Sequence, residues 1–414
     1  MECVVQETKL SPWKTTILGI QHVFAMFGAT VLVPALTGLD PSVALFTAGV
    51  GTLIFHLITK GKVPVFLGSS FAFIAAISAV VADQGIAYAG GGIIVAGLLY
   101  LVLAGLVLIF GVDRIRSFFP PLVTGPMIMI IGLTLSPSII VNNIVGVEGS
   151  DVFAMGTLGQ RWIIVLAVVV TMVVVSVFVK GFFRLVPILL GILVGYIVSI
   201  LFGFVDYTPI KEASLFALPP FTLPRFDIKA ISLIAPIAIV TFMEHIGDIT
   251  TNGAVVGKDF FKDPGLHRTL IGDGVATMFA GLLGGPSNTT YSENTGVLAV
   301  TKIYNPFILR VAAVFAIVLA LIGKIGALLK TIPAPVMGGV SILLFGMIAS
   351  IGIRTLSEAN LDFSKSRNLI VISLMLVMGL SGVEFTIIQG VTLSGMSLAA
   401  IIGVILNKIL PENI

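Results

Sequence analysis

Apolar stretches recur along this chain from end to end, and they constrain its fold more than any other feature. Fourteen can be read, centred near Phe27, Leu53, Ile74, Leu99, Ile128, Val170, Leu193, Ile237, Thr277, Thr295, Val314, Leu343, Leu374 and Ile402. Most reach the roughly 20 residues that a helix needs to cross about 30 Å of hydrocarbon. With 57% hydrophobic and 10% charged residues, against roughly a quarter charged in soluble domains, the chain has more apolar surface than one aqueous core can bury. It needs lipid as solvent, and an all-α polytopic membrane protein is expected. The third and tenth segments are short and broken by the polar runs GSSFAF, from Gly68 to Phe73, and PSNTTYSEN, from Pro286 to Asn294.

Basic residues set the expected orientation. A net charge of +3 could suggest a nucleic-acid partner, but the lysines and arginines are scattered singly between apolar runs, as in loops flanking membrane spans. With the N-terminus in the cytoplasm, thirteen of them fall inside, from Lys60 and Lys62 to Lys365 and Arg367, against six outside, such as Arg161 and Lys330. That asymmetry predicts both termini inside and an even number of spans. The polar start MECVVQETKLSPWK has no cleavable signal pattern, so the first apolar run is expected to stay as an anchor. Cys3 is the single cysteine, which excludes a disulfide framework or a thiolate metal site.

The two halves of the chain look related. Pro121, Gly125 and Gly132 form P-x3-G-x6-G in the fifth segment, and Pro335, Gly339 and Gly346 repeat it in the twelfth. His22 to Phe71 is 49 residues, and so is Glu244 to Glu293. Seven spans per half is odd, so tandem copies must have opposite membrane orientation. Short Gly-interrupted segments at corresponding positions point to a midplane binding site in transporters built from inverted repeats.

The acidic residues mark that site. Glu244, Asp248, Asp273 and Glu293 fall inside spans of the second half, where a carboxylate costs at least about 2.5 kcal/mol at the bilayer centre. Glu244 and Asp248, four apart, share one helical face. Two like charges in a dry site resist ionising together, so the pair is expected to hold a proton, as a proton-coupled carrier requires. His245 points roughly 100° away around the helix and reads as structural. The run from Asn288 to Asn294 offers N–H groups and a carboxylate to a planar heterocycle with alternating N–H and C=O groups. Phe71, Phe73, Tyr291 and Phe345 are candidate aromatic walls. No His pair has zinc spacing with an acid or thiol, and neither H-E-x-x-H nor a nucleophile–base set is present, so neither a metal centre nor an enzyme is expected.

Glu293-Asn294-Thr295-Gly296 followed by Thr301-Lys302 resembles the signature E/Q-N-x-G-x4-T-R/K of the nucleobase–ascorbate transporter family, also called nucleobase:cation symporter family 2. QHVFAMFGATVLVP, GSSFAF, EHIGD, DPGLHR, NTTYSEN and PVMGGVS resemble its bacterial uracil permeases in order and spacing, from about residue 11 to 410. The resemblance implies 14 transmembrane segments in two inverted 7-span repeats, with a short strand in segments 3 and 10. It implies a core domain from 11–112 (spans 1–4) and 228–325 (spans 8–11), and a gate domain from 113–205 (spans 5–7) and 326–410 (spans 12–14). Glu244 and Glu293 would bond the base, Phe71 and Ser292 would offer backbone N–H groups, and Tyr291, Ala29 and Phe345 would line the pocket. Asp248, Glu244, His22 and Asp273 would carry proton coupling. Three departures bear on the substrate: Asp248 stands where uracil permeases often have His, Phe345 replaces the Tyr of some relatives, and Ser292 stands where Gly is usual.

The expected function is proton-coupled uracil uptake by alternating access, with protons as the coupling ion and no other cofactor. The protein is expected in the cell inner (plasma) membrane, as a homodimer. The alternatives are a xanthine or other purine:proton symporter of the same family, and an anion carrier or channel of the related sulfate-transporter architecture. The last would favour a basic residue or bare helix N-termini over Glu244 and Glu293, and Arg310 is the single cation near that region.

Overall fold

The structure, a computed structural model, describes residues 11–388 and 391–411, so Cys3 and the polar start lie outside the described residues. Many helices begin on a proline. α1 (Pro12–Thr37), α2 (Pro41–Ile58), α5 (Pro121–Ile140), α7 (Pro187–Leu201) and α12 (Pro306–Leu321) all carry Pro in the first turn, where the missing N–H had no intrahelical partner to lose. Ser11 caps α1 by accepting from the Lys14 N–H, and Asp40 caps α2 by accepting from Ser42 and Val43.

The first half continues with β1 (Leu67–Ser69), a single 3-10 turn at Phe71–Phe73, α3 (Ile74–Asp83), α4 (Ile86–Phe110) and α6 (Leu158–Phe178). The second half contains α8 (Ile228–Ile234), α9 (Ile237–Val256), α10 (Leu266–Leu282), β2 (Asn288–Thr290) and α11 (Ser292–Thr301). After α12 the chain bends by 79° into Gly323–Lys330. It then enters α13 (Ala334–Glu358), α14 (Ser366–Leu380), a hairpin of β3 (Glu384–Ile388) and β4 (Val391–Ser394), and α15 (Gly395–Ile409). Among the described residues, seven helices are long and apolar enough to cross a membrane, or eight with the bent pair. The protein is a mostly helical, multi-pass membrane protein.

Several segments are shorter than the apolar runs suggest. α7, α14 and α15 have 15 residues each, about 22 Å at 1.5 Å per residue. An apolar run records which residues avoid water, and it does not record where the backbone leaves the helix. The β3–β4 hairpin, unforeseen in the sequence, takes up residues between α14 and α15.

Two groups of helices pack among themselves. In one, α4 lies on α10, α2 on α12 and α10, α1 on α12, and α8 and α9 on α4. In the other, α5 lies on α13 and α14, α6 on α7 and α13, and α14 on α15. Glycine allows close backbone crossings. A Cβ on Gly90 would sit 2.7 Å from the Gly281 carbonyl oxygen, and one on Gly97 2.7 Å from that of Gly274. In lipid, where apolar surface gives no drive to associate, such backbone approach is what holds helices together.

β1 and β2 pair antiparallel at the centre of the first group, with Leu67 opposite Thr290, Gly68 opposite Thr289 and Ser69 opposite Asn288. The Ser70 N–H to Ser287 O bond (2.9 Å) and the Tyr291 N–H to Phe66 O bond (3.0 Å) extend the ladder at both ends. A threonine of the preceding long helix holds each strand. Thr52 accepts from the Leu67 N–H at 2.9 Å, and Thr277 accepts from the Asn288 N–H at 3.2 Å while donating to its carbonyl at 3.0 Å.

Candidate functional site

The strand pair brings chain segments more than 200 residues apart to one place. Phe71 opens the 3-10 turn after β1, and Ser292 and Glu293 open α11 after β2. The first N–H groups of such turns have no partner within the turn, so both segments present free donors. Tyr291, 3% exposed, lies against Gly68, donates to the Ser69 carbonyl at 2.9 Å and stands 3.4 Å from the Thr30 hydroxyl. Ser69 in turn donates to the Thr30 carbonyl at 3.1 Å, which ties β1 to α1 beside the buried Ala29.

α9 supplies the carboxylates. Glu244 and Asp248 lie one turn apart and half-buried, and Glu293 on α11 is half-buried too. Glu244 lies within electrostatic reach of Asp248, Glu293 and Asp273. Asp248 accepts from the hydroxyls of Thr290 (2.8 Å) and Ser292 (2.6 Å), and so clamps the end of β2 to α9. Glu244 Oε2 is buried without a hydrogen-bond partner. A cation at Glu244 is absent from the ion pairs found among the described residues. Phe71 meets Phe345 of α13 edge-on, with ring centroids 6.2 Å apart and planes at 88°. This contact joins the two helix groups, and both rings are buried.

Asp273 and His22 occupy separate, fully buried networks. His245 Nδ1 lies 2.8 Å from Asp273 Oδ2, and its Nε2 lies 2.9 Å from the Thr269 hydroxyl, all three residues at 0% exposure. Thr269 gives its own hydrogen to the Leu266 carbonyl at 2.9 Å. Its oxygen therefore accepts from His245 Nε2–H, and the Nδ1–Oδ2 contact holds one proton between its two atoms. Asn294 donates from Nδ2 to the His22 carbonyl at 3.0 Å and faces His22 Nδ1 at 3.1 Å, which leaves the ring hydrogen on Nε2.

The structure places the residues singled out in the sequence, and Phe73, read there as a further aromatic wall, is instead buried in the core beside Ala96 and Phe242. Glu244, Asp248, Ser292 and Glu293 converge at the strand ends, with Tyr291, Phe71, Ala29 and Phe345 packed around them. Asp273 and His22 stand behind, bonded to His245 and Asn294. Thr290 belonged to the polar run read from Asn288 to Asn294, whereas Thr269 and Asn252, whose Nδ2 bonds Pro64 O and Thr295 Oγ1 at 3.0 Å each, were not singled out. Thr269 was legible, being four residues and one turn before Asp273; Asn252 was not, because both its partners come from other segments. A cavity of about 490 Å³ lies elsewhere, lined by residues such as Gly38, Asp40, Asn143 and Lys330. Its charged groups, Asp40 and Lys330, already pair with each other.

Residues 13–388 match the permease family Xan_ur_permease. The chain is 45% identical over 402 residues to a probable uracil permease of Haemophilus influenzae, covering 97% of this chain and 95% of that protein. It is 46% identical over 400 residues to the uracil permease of Bacillus caldolyticus, with 95% and 91% covered, and 42% identical over 401 residues to that of Escherichia coli, with 96% and 91% covered. Among solved structures, the transmembrane domain of the cyanobacterial bicarbonate transporter BicA superposes with a TM-score of 0.63 at 16% identity, covering 94% of this chain and 96% of that one. At that identity the likeness concerns the fold alone.

Proposed function

The chain belongs to this permease family, and from that premise we propose that it is a proton-coupled uracil permease working by alternating access. It is a transporter, as its relatives are named. The observation that carries the substrate reading is the convergence of Glu244, Glu293 and the free N–H groups of Phe71 and Ser292 at the ends of one strand pair. A pyrimidine such as uracil presents ring N–H groups for the two carboxylates and carbonyl oxygens for the backbone donors, and its flat face suits Phe71, Tyr291 and Phe345. Glu244 Oε2 is an acceptor without a partner in the protein, which fits a role for the ligand in satisfying it.

Proton coupling follows from the charge of the site. Several carboxyl groups without a paired cation cannot all ionise in a low-dielectric pocket, so a proton enters with the base. Asp248, Glu244, Asp273 and His22 are the residues assigned to it, and no other cofactor is needed.

Two inverted seven-span repeats account for the packing. Exchanging α2 with α10, α4 with α12 and α5 with α13 turns the packing of α4 on α10 into that of α12 on α2 and leaves the α2–α10 and α5–α13 pairs as they are, as paired repeats require. Residues 11–112 and 228–325 would then form the core, and 113–205 and 326–410 the gate. Transport is motion of one against the other across contacts such as Phe71–Phe345. We place the protein in the inner membrane as a homodimer with both termini cytoplasmic. An anion carrier, the role of BicA named above, would favour a basic residue or bare helix N-termini without the carboxylates of Glu244 and Glu293 beside them.

The test is binding of uracil, thymine, xanthine, hypoxanthine, guanine and urate to purified protein at two pH values. Uracil is expected to bind best and Glu293→Ala to lose it. Preference for a purine, or binding retained in that variant, would overturn the substrate or the site.

A further inference from the structure

The cavity of about 490 Å³ that lies apart from the carboxylates is within the size range of small-molecule pockets. One wall is formed by residues between Pro34 and Pro41, at the end of α1 and the turn into α2. The other is formed by residues between Lys330 and Met337, at the start of α13, with Asn143 from the turn after α5. The cavity therefore sits where the proposed core meets the proposed gate.

The same two helices lead from the cavity to the site. On α1, Pro34 lines the cavity, and Thr30, one turn back, stands 3.4 Å from the Tyr291 hydroxyl. On α13, Met337 lines the cavity, and Ser341 and Phe345 follow on the same helical face at four-residue steps. Phe345 is about 12 Å from Met337 along the axis, at 1.5 Å per residue. Protein fills that interval. Val33, Val340 and Leu344 pack in one apolar cluster with Met337, Phe345, Phe71 and Tyr291, and Ser341 is 0% exposed. The cavity thus ends on a buried layer one to two turns thick, and the substrate contacts lie beyond it.

An ion pair joins the two walls. Asp40 Oδ1 caps α2 by accepting from the N–H groups of Ser42 (2.8 Å) and Val43 (3.3 Å), and its Oδ2 takes Lys330 Nζ at 2.5 Å. Lys330 ends the short helix Gly323–Lys330, four residues before Ala334 opens α13. Four residues span at most about 14 Å, so the pair tethers the start of α13 to the start of α2.

We propose that this cavity is the entry vestibule for the nucleobase, shut off from the site by the buried layer, with the Asp40–Lys330 pair as the tether that holds the layer closed. This rests on the alternating-access reading and names the route by which the base arrives. In the proposed orientation α1 runs outward, so the vestibule opens to the outer face. Mostly apolar walls suit a flat heterocycle in passage, and Asp40 and Lys330 neutralise each other. Entry requires α1 and α13 to part between Thr30 and Ser341, which is motion of core against gate.

Cys3 is the single cysteine, so Cys3→Ser gives a background for single-cysteine variants, probed with a membrane-impermeant maleimide in right-side-out and inside-out vesicles. Ala334→Cys, at a half-buried position, should label from the outer face, and Ser341→Cys about tenfold more slowly, since the layer must open first. Label on Ala334→Cys should cut uracil uptake by about tenfold, while uracil binding to solubilised protein, where both faces are open, stays within about twofold. Asp40→Asn keeps the cap, because asparagine caps as well as aspartate, and loses the ion pair. Lys330→Met loses it from the other side, and Lys330→Arg keeps it. With side chains 12% and 51% exposed, such a pair biases an equilibrium by up to about fivefold. Asp40→Asn and Lys330→Met should therefore raise Ser341→Cys labelling about two- to fivefold, and Lys330→Arg should leave it unchanged. Ala334→Cys labelled from the inner face alone, uptake indifferent to the label, uptake and binding lost together, or Ser341→Cys labelled as fast as Ala334→Cys would each overturn the vestibule. Labelling of Ser341→Cys unchanged in Asp40→Asn or in Lys330→Met, or raised equally in Lys330→Arg, would overturn the tether. Absence of uracil exchange in the Cys3→Ser protein would instead overturn the parent reading, since the labelling pattern is read without uracil.

Discussion

Gly68→Ala tests whether the strand crossing is built as tightly as the contacts imply. A Cβ at Gly68 would lie 2.3 Å from Cε2 and Cζ of Tyr291 and 2.7 Å from its hydroxyl. Carbon atoms rest at about 3.5–4.0 Å, so the ring must move by more than about 1 Å. Tyr291 is 3% exposed, and its hydroxyl bonds Ser69 O at 2.9 Å; a shift of that size breaks the bond. Losing the bond costs about 1 kcal/mol, and overpacking a filled site costs about 1–3 kcal/mol. Together they give a destabilisation of about 2–4 kcal/mol. Backbone strain is no part of this, because Gly68 is not among the positive-φ glycines. The assay is equilibrium unfolding in detergent of wild type, Gly68→Ala, Tyr291→Ala and the double variant. If the clash is the cause, Gly68→Ala costs less than about 1 kcal/mol once the ring is gone, and the cycle reports a coupling of about 2 kcal/mol, within the range for residues in contact. Additive effects would refute the reasoning.

Three other outcomes follow from the same contacts. Gly281→Leu puts a side chain 2.7 Å from the Gly90 backbone carbonyl, which cannot rotate away; it should cost about 1–3 kcal/mol or more, read as a lowered melting temperature, while Gly105→Leu, with open space at its Cβ, should be neutral. Asn294→Leu removes both bonds to His22 and should destabilise by about 1–3 kcal/mol, whereas loss of substrate binding with unchanged stability would make Asn294 a ligand contact instead. Asp227 caps α8 on the exposed surface, and its bond from Gln84, followed by those from Ala230 and Lys229, holds its carboxyl below the usual carboxylate range. Its stabilisation is therefore present above the unfolded aspartate value of about 3.9 and lost as pH falls through the lower folded value; melting curves of Asp227→Asn should lack that acid-side loss.

Much of this was written in the residue order. The apolar runs required a membrane, the i, i+4 spacing put Glu244 and Asp248 on one face of a helix, and the polar breaks at GSSFAF and PSNTTYSEN marked where regular helix stops. These are local properties, settled by side-chain hydropathy and the pitch of one helix. What folding alone decided lies between segments. Leu67 meets Thr290 across more than 200 residues, and only that register lays Tyr291 on Gly68 and brings Thr290 and Ser292 to Asp248. The same holds for His245: its angle around α9 turned it away from Glu244, but its pairing with Asp273 and Thr269 depended on where α10 crosses, which the glycines at 97 and 274 fix by backbone contact. Membrane character and the candidate carboxylates thus came from composition and spacing. The partner of each carboxylate came from helix crossings that no single segment encodes.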